Sequence, residues 1–241
     1  MRNQKMRDHL PELERKKIVE LAHEELRTDN GKEALDYLKN VRKLSDKVID
    51  EFNIGYVPHW VKNLYDDKHE FAGRIIFPVY DHHGELIAIS SRDWRVDAGM
   101  KFFHETYKKR DYLFGLNIAK KNILKYNKAI VVEGEIDVLR LHSEGINCTV
   151  GMIGSVLHLE QIALLSRYCQ NIFLPFDGDS AGQDAIKKAM NLSNEKEMPK
   201  AYDLYMVPAY LPDGIDPDEF ISKSGAKKFL ELLKQSAQNF K

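Results

Sequence analysis

From Lys128 onward, short apolar runs alternate with segments of helical periodicity. The runs are apolar throughout, which is typical of strands covered on both faces of a sheet. Strands joined by helices in this way predict a parallel sheet of the α/β class. The predicted strands are 128–132, 147–151, 171–176 and 201–207, and the predicted helices are roughly 136–144, 159–168 and 181–192.

Acidic residues follow three of these predicted strands. The carboxyl ends of strands are where open α/β sheets bind ligands. Carboxylates suit Mg²⁺, and two acids spaced i, i+2 on an extended backbone point to one face. The pattern therefore predicts a metal-dependent phosphoryl-transfer site. Its six acids form three pairs, Glu133 with Asp137, Asp177 with Asp179, and Asp216 with Asp218.

Each pair also has a structural explanation. Asp137 falls in the first turn of a predicted helix, where it would offset the helix dipole. Asp179 precedes another helix and would cap it, with Asp177 as a turn residue. Glu135 is expected to face solvent. Three acid pairs that each follow a strand of one sheet favour the metal site over these local roles.

The charge distribution is uneven although the net charge is only −1. Residues 101–125 hold seven Lys or Arg and two Asp or Glu, directly before the acidic motifs. Such a stretch would help a nucleic-acid or polyphosphate backbone approach clustered carboxylates. An ordinary solvated helix face is an equally good explanation.

No apolar run is long enough to span a bilayer, and the charged N-terminus lacks the apolar segment of a secretory signal. Cys148 and Cys169 fall in or beside apolar segments, so buried, reduced thiols are expected. Together these features predict a cytoplasmic protein without a membrane partner.

The first half has a different pattern. Ser45 is a candidate cap for the third of three predicted helices. Pro78 indicates an edge position or a bulge in a β-hairpin. The predicted helices are 11–27, 32–39 and 46–52, and the hairpin strands are 73–80 and 85–91 around a turn at 81–84.

The acidic motifs resemble the Toprim module of primases, type IA and type II topoisomerases, RecR proteins and some nucleases. These motifs are Glu133-Gly-Glu-Ile-Asp137, Phe176-Asp-Gly-Asp-Ser-Ala-Gly182 and Asp213-Gly-Ile-Asp216-Pro-Asp218. Their finer likeness is to DnaG-type bacterial primases and to the primase half of phage helicase–primases.

Upstream segments resemble the same primases. They are Leu44 to Tyr56, which resembles a helix-then-strand entry, the hairpin Gly73 to Gly84, and the stretch from Lys101-Phe through Lys109 to Leu113-Phe-Gly115. The resemblance covers residues 33 to about 225. It implies a Toprim-type sheet with flanking helices (α/β, α+β overall), preceded by a small helical and β-hairpin subdomain and followed by a short helical tail. The implied domains are 1–125, 126–210 and 211–241.

By this resemblance the six acids would gather Mg²⁺ or Mn²⁺, with Glu133, Asp177 and Asp179 catalytic. Lys101 and Lys109 would also be catalytic and contact template, primer or triphosphate, although Lys108 and Arg110 compete for the place of Lys109. Arg74, Arg92 and Arg110 would bind nucleic acid or nucleotide.

The resemblance implies a primase core that makes RNA primers on single-stranded DNA from ribonucleoside triphosphates. Two departures are the lack of a Cys-x-x-Cys zinc ribbon and a short tail after Asp218. No zinc is expected, and a replicative helicase and a separate zinc-ribbon protein are implied as partners. A fragment, or a stand-alone protein of a phage or a mobile element, would fit. The alternatives are a Toprim nuclease and a non-catalytic Toprim scaffold that binds DNA or a replication partner.

Overall fold

Two four-stranded sheets organise the chain, one in each of two units that span residues 1–107 and 108–241. The computed structural model describes residues 10–63, 70–95, 100–194 and 204–240. The unit boundary differs from the predicted domain boundary after residue 125. Helix 116–126 belongs to the second unit because its buried residues, among them Leu116, Ala119 and Ile123, pack toward the parallel sheet.

The first unit begins with short helices, as predicted. They are α1 (Glu12–Glu25), α2 (Lys32–Asp36), which continues into a π-helical turn at Tyr37–Val41, and α3 (Asp46–Glu51). Ser45 caps α3, because its hydroxyl accepts a hydrogen bond from the Val48 N–H at 3.3 Å. This predicted cap is therefore confirmed.

An antiparallel sheet follows, with strand order β1-β2-β3-β4. Its strands are β1 (Gly55–Val57), β2 (Arg74–Tyr80), β3 (Leu86–Arg92) and β4 (Phe102–His104). The predicted hairpin is β2–β3, and a register shift between Val79 and Tyr80 confirms the bulge. Strand β2 lies between β1 and β3, but Pro78 itself has a strand partner on one side only, so the expected edge position is confirmed locally. Proline is tolerated there since the pairing with β1 ends at Ile76 and leaves no ladder partner for its nitrogen.

The core of the first unit joins α1 to this sheet. Ile18 and Ala22 of α1 are fully buried against Ile76 and Ile89 of the hairpin strands. Beside them, the Arg15 guanidinium pairs with the Glu105 carboxylate at 3.0 Å, with both side chains less than a tenth exposed. The Glu105 carboxylate also accepts the Ile89 N–H at 2.6 Å, so the buried charge is well satisfied.

The second unit contains the predicted parallel sheet, with order β6-β5-β7-β8. Its strands are β5 (Lys128–Val132), β6 (Thr149–Gly151), β7 (Asn171–Leu174) and β8 (Tyr205–Pro208). Its helices are α4 (Leu116–Tyr126), α5 (Glu135–Ser143), α6 (Leu159–Leu165), α7 (Ser180–Asn194), α8 (Pro217–Ser224) and α9 (Ala226–Asn239). The predicted start of the last strand, residues 201–203, lies outside the described residues.

Both cysteines of the second unit are buried and free, as predicted. Burial raises the pKa of the Cys169 thiol to about 12, so the unreactive thiol form dominates at neutral pH. Within the described ranges, no helix has the length and apolar character needed to cross a membrane.

Candidate active site

The turns after β5 and β7 meet at the carboxyl edge of the parallel sheet. These strands are direct neighbours, with Ile130 opposite Phe173. Glu133 follows β5, and its Oε1 accepts a hydrogen bond from the Asp177 N–H at 3.2 Å. The first two acidic motifs are therefore tied together through backbone as well as through position in the sheet.

Gly178 lets a third segment approach this edge closely. Its N–H donates to the Ile215 carbonyl at 2.9 Å. A Cβ at this position would lie 1.9 Å from the Pro212 carbonyl oxygen, a distance that no side chain tolerates. Asp179 then begins α7, with its Oδ1 accepting the Gly182 N–H at 2.8 Å. The capping role considered for Asp179 is thus confirmed.

Asp216 and Asp218 sit at the start of α8. Asp216 caps the helix by accepting the Glu219 N–H at 2.7 Å. Asp218 is already in the first helical turn, so the expected extended spacing of this pair is wrong. Pro217 explains the difference, because proline at the first helical position favours helix initiation.

The Asp218 side chain contacts α5 instead of solvent. Arg140 Nε lies 3.3 Å from Asp218 Oδ1, and Arg140 also pairs with Glu144. The Asp218 N–H donates to Asp137 Oδ1 at 3.3 Å. The third motif is therefore joined to the first through its backbone, and to helix α5 through the Asp218 side chain.

The acids of the three motifs influence one another's pKa values, as expected for side chains that lie close together. Burial raises the pKa of Asp177 to about 7, with the charges of Glu133, Asp216 and Asp179 adding to the effect. Burial, followed by the charges of Asp216 and Asp177, raises the pKa of Asp137 well above its usual range. The pKa of Glu133 is also raised, chiefly by burial. Carboxylates placed in this way favour a proton or a cation between them.

The donor chemistry of the cluster fits a divalent metal. Asp177 Oδ1 is buried and has no hydrogen-bond partner within the described part of the chain, although a buried acceptor normally has one. Hard oxygen donors of this kind suit Mg²⁺ or Mn²⁺. In the same described part, no three His, Cys, Asp or Glu side chains are arranged to hold an ion by themselves.

Lys109 lies beside the first acidic motif within the second unit. Desolvation lowers the pKa of this half-buried ammonium, and the charge of Glu135 partly offsets the shift. Glu135 is buried, so the expectation that it faces solvent is wrong. Fully buried Gln161 fixes the Lys109 turn by donating to the Tyr112 carbonyl at 2.7 Å and the Lys109 carbonyl at 3.3 Å.

Other basic residues of the 101–125 stretch lie in different parts of the second unit. Arg110 is exposed and faces Glu160 at 3.4 Å. Lys125 ends α4, next to Lys128 at the amino end of β5, whereas the acids follow its carboxyl end. The part of the basic stretch on α4 near Lys125 therefore lies away from the acidic cluster.

The remaining predicted residues belong to the first unit. The Arg74 guanidinium donates to the Met100 carbonyl at 2.6 Å and thereby holds the segment that carries Lys101. Lys101 is exposed, with its ammonium 5.9 Å from the centre of the Phe102 ring. Arg92 is mostly buried and lies over the same ring at 5.0 Å. Their contacts with nucleic acid stay predictions.

Three residues near the cluster escaped sequence reasoning, namely Glu135, Arg140 and Gln161. Each is polar on a helix whose other buried residues are mostly apolar. Arg140 and Asp218 form their pair across distant parts of the chain, so no local pattern marks it. A signal was available for Glu135, since it lies inside a five-residue motif with two predicted site residues.

Two family models match the chain. A Toprim-like model matches residues 130–221, which contain all six acids. A model of the N-terminal domain of the DNA primase catalytic core matches residues 21–70 and 64–120, which include Lys101 and Lys109. The two matches adjoin along the sequence in the order that the motifs indicated.

A curated relative and two solved structures agree with these matches. The DNA primase of Aquifex aeolicus is 32% identical over 239 residues, covering 87% of this chain and 46% of that protein. The chain thus spans less than half the length of this relative. A DNA primase domain from Pseudomonas aeruginosa is 26% identical with a TM-score of 0.81, covering 93% of this chain and 78% of that one. A DnaG primase catalytic domain bound to single-stranded DNA is 26% identical with a TM-score of 0.80 and the same coverage. The resemblance predicted from the motifs is confirmed.

Proposed function

The chain belongs to the DnaG-type primase catalytic-core family, and on this basis we propose that it synthesises short RNA primers on single-stranded DNA. The substrates would be ribonucleoside triphosphates. The reaction joins a primer 3′-hydroxyl to the α-phosphate of the incoming nucleotide and releases pyrophosphate.

The acidic cluster is the observation that carries this proposal. Carboxylates from three motifs repel one another at the carboxyl edge of a parallel sheet, and Asp177 Oδ1 has no partner among the described residues. Glu133, Asp177 and Asp179 would supply part of the ligand set of Mg²⁺ or Mn²⁺, with water and substrate phosphate completing it and Asp137, Asp216 and Asp218 in support. Bound divalent ions would lower the pKa of the attacking hydroxyl and stabilise charge on the leaving pyrophosphate.

The chain's cations would bind the phosphates. Lys109 carries a compact charge beside Glu135 in the second unit, suited to a triphosphate or a primer phosphate. Lys101 is exposed in the first unit next to Phe102, and Arg74 holds its backbone. A base could stack on the exposed ring while the ammonium binds a phosphate.

One assay tests the proposal. The protein is incubated with a single-stranded template, labelled ATP and GTP, and Mg²⁺ or Mn²⁺ in turn. RNA oligomers that require both template and metal are expected. Degradation of the template would instead identify a Toprim nuclease, and the absence of either activity would favour a non-catalytic scaffold.

The assay is repeated with a replicative helicase and with a separate zinc-ribbon protein, the further partners that we propose. Either one would concentrate and orient the template near the active site, so primer yield should rise through effective concentration. Equal yields with and without them would remove these partners from the proposal and leave the catalytic function standing.

A further inference from the structure

We propose that Arg140 is a positioning residue that supplies a fixed positive charge to the acidic cluster through Asp218. This inference rests on the proposed metal-dependent function and concerns how the protein balances the charge of that site. In this proposal the Asp218 carboxylate pairs with Arg140, and the other acids of the cluster bind the divalent ion.

The contact between the two side chains is buried. Arg140 on α5 is 8% exposed in its side chain, and Asp218 on α8 is 11% exposed. Their Nε and Oδ1 atoms lie 3.3 Å apart. Glu144, one helical turn along α5, pairs with the same guanidinium and fixes its orientation. A charge held in this way is poorly screened by solvent.

Asp218 connects this charge to the rest of the cluster. Its N–H donates to Asp137 Oδ1 at 3.3 Å, so the α8 backbone also supports the first motif. Asp216, two residues earlier, caps α8 and acts electrostatically on both Asp137 and Asp177. The position of α8 therefore determines where both Asp216 and Asp218 lie. Arg140 holds α8 against α5.

Charge balancing and simple bracing predict opposite effects on metal affinity. If Arg140 only braced α8, its loss would disorder the ligands and weaken metal binding. If it neutralises Asp218, its loss leaves one more negative charge near the metal. A divalent cation should then bind more tightly, by about threefold to tenfold for one added charge at this range in a partly solvated site.

The experiment measures Mn²⁺ binding by the metal-free full chain, using the electron paramagnetic resonance signal of free Mn²⁺. Neither template nucleic acid nor nucleotide is present. Arg140→Gln should bind Mn²⁺ about threefold to tenfold more tightly than wild type, whereas Asp218→Asn should bind it more weakly by a similar factor. The double variant should return to within about twofold of wild type. Arg140→Lys keeps the charge and should restore the wild-type affinity.

These four variants also include a control for a failure of Arg140→Gln to fold. If Arg140→Gln alone fails to fold, the comparison of Asp218→Asn with the double variant still measures the effect of the arginine charge. Unchanged or weaker binding on removal of that charge would overturn the inference alone. No Mn²⁺ binding by wild type would overturn the metal site of the proposed function as well, so the two failures are distinguishable.

Discussion

The raised pKa of Asp177 gives the site a measurable pH signature. Because burial and neighbouring carboxylates raise the pKa of Asp177 to about 7, the folded state binds this proton more tightly than the unfolded chain does. The stabilisation from protonation is present at low pH and is lost as the pH rises through the folded value. In metal-free buffer, the unfolding temperature should therefore fall between about pH 4, near the ordinary value of the group, and about pH 7, and level off above it.

Asp177→Asn should flatten this fall, because an amide does not ionise. It should also abolish most primer synthesis. The measurement is thermal unfolding of both proteins across the pH range, with and without Mn²⁺. Asp184→Asn is the control, since Asp184 is an exposed residue on α7 whose partner is Lys187. Equal pH slopes for wild type and Asp177→Asn would contradict the shifted pKa.

Glu133 is expected to act on turnover more than on template affinity. In Glu133→Gln the amide oxygen can still accept the Asp177 N–H, so the turn should keep its shape. The lost negative charge should lower the rate of nucleotide addition by about 100-fold or more, the order seen when one group that stabilises a transition state is removed. The dissociation constant for labelled single-stranded DNA, measured by fluorescence anisotropy, should change by no more than about twofold. If template affinity and the rate of nucleotide addition fell by similar factors, Glu133 would have a structural role instead.

The approach of the 212–216 segment to the turn after β7 depends on Gly178. Gly178→Ala would place a methyl group 1.9 Å from the Pro212 carbonyl oxygen, so that segment must move. We expect a loss of about 1–3 kcal/mol in unfolding free energy and weaker Mn²⁺ binding, because Asp216 moves with the segment. Gly154→Ala is the control, with its nearest contact at 4.0 Å. Similar denaturation midpoints for the two variants would show that the close approach is unimportant.

Helix α1 is held to the first sheet by the buried Arg15–Glu105 pair. Arg15→Ala leaves Glu105 buried without its partner and should cost about 3–5 kcal/mol in urea denaturation. The exposed Lys16–Glu12 pair on the same helix provides the control, and Lys16→Ala should have little measurable effect. If both variants unfold at the same urea concentration, the buried pair does not hold α1 in place.

These elements also show what sequence patterns can predict. The parallel sheet was predictable because each of its strands is an apolar run that ends near Gly, Pro or Asp, next to a helical period. Strands β1 and β4 have three residues each and show no period of their own, so β1 was implied only by the resemblance of Leu44 to Tyr56. The equally short β6 was predictable because strands and helices alternate around it. The burial of Glu135 was missed because α5 is covered on most of its surface, so exposure does not follow from periodicity.

The acid cluster was predictable for the same reason as the sheet, since parallel strands end at one edge. The contacts within the cluster could not be predicted in this way. Asp137 and the Asp218 N–H that it accepts are 81 residues apart, and their pairing depends on how α8 packs against α5. The Arg140–Asp218 contact has the same origin. Local patterns locate the acids in the sequence, whereas tertiary packing determines which of them pairs with a basic side chain.

Template affinity should draw on both units, because Lys101 lies in the first and Lys109 in the second. Each phosphate contact on a single strand contributes about 0.7 to the slope of log affinity against log salt. Few such contacts imply weak binding with little sequence preference, and a salt dependence whose steepness is set by the number of contacts. The basic residues at the amino end of β5 should not contribute, because the acids that we propose act on the primer lie at the other end of that strand.

Lys101→Ala and Lys109→Ala should therefore each flatten the salt slope by about 0.7, and the double variant by about 1.4. The loss of affinity should be similar on every template sequence, because phosphate contacts carry no sequence information. Lys125→Ala is the matched control and should leave the slope unchanged. The measurement is anisotropy titration of several labelled single-stranded DNAs over a range of salt concentrations. Tight, salt-insensitive or sequence-selective binding would require a base-reading surface and would contradict phosphate contacts as the source of affinity.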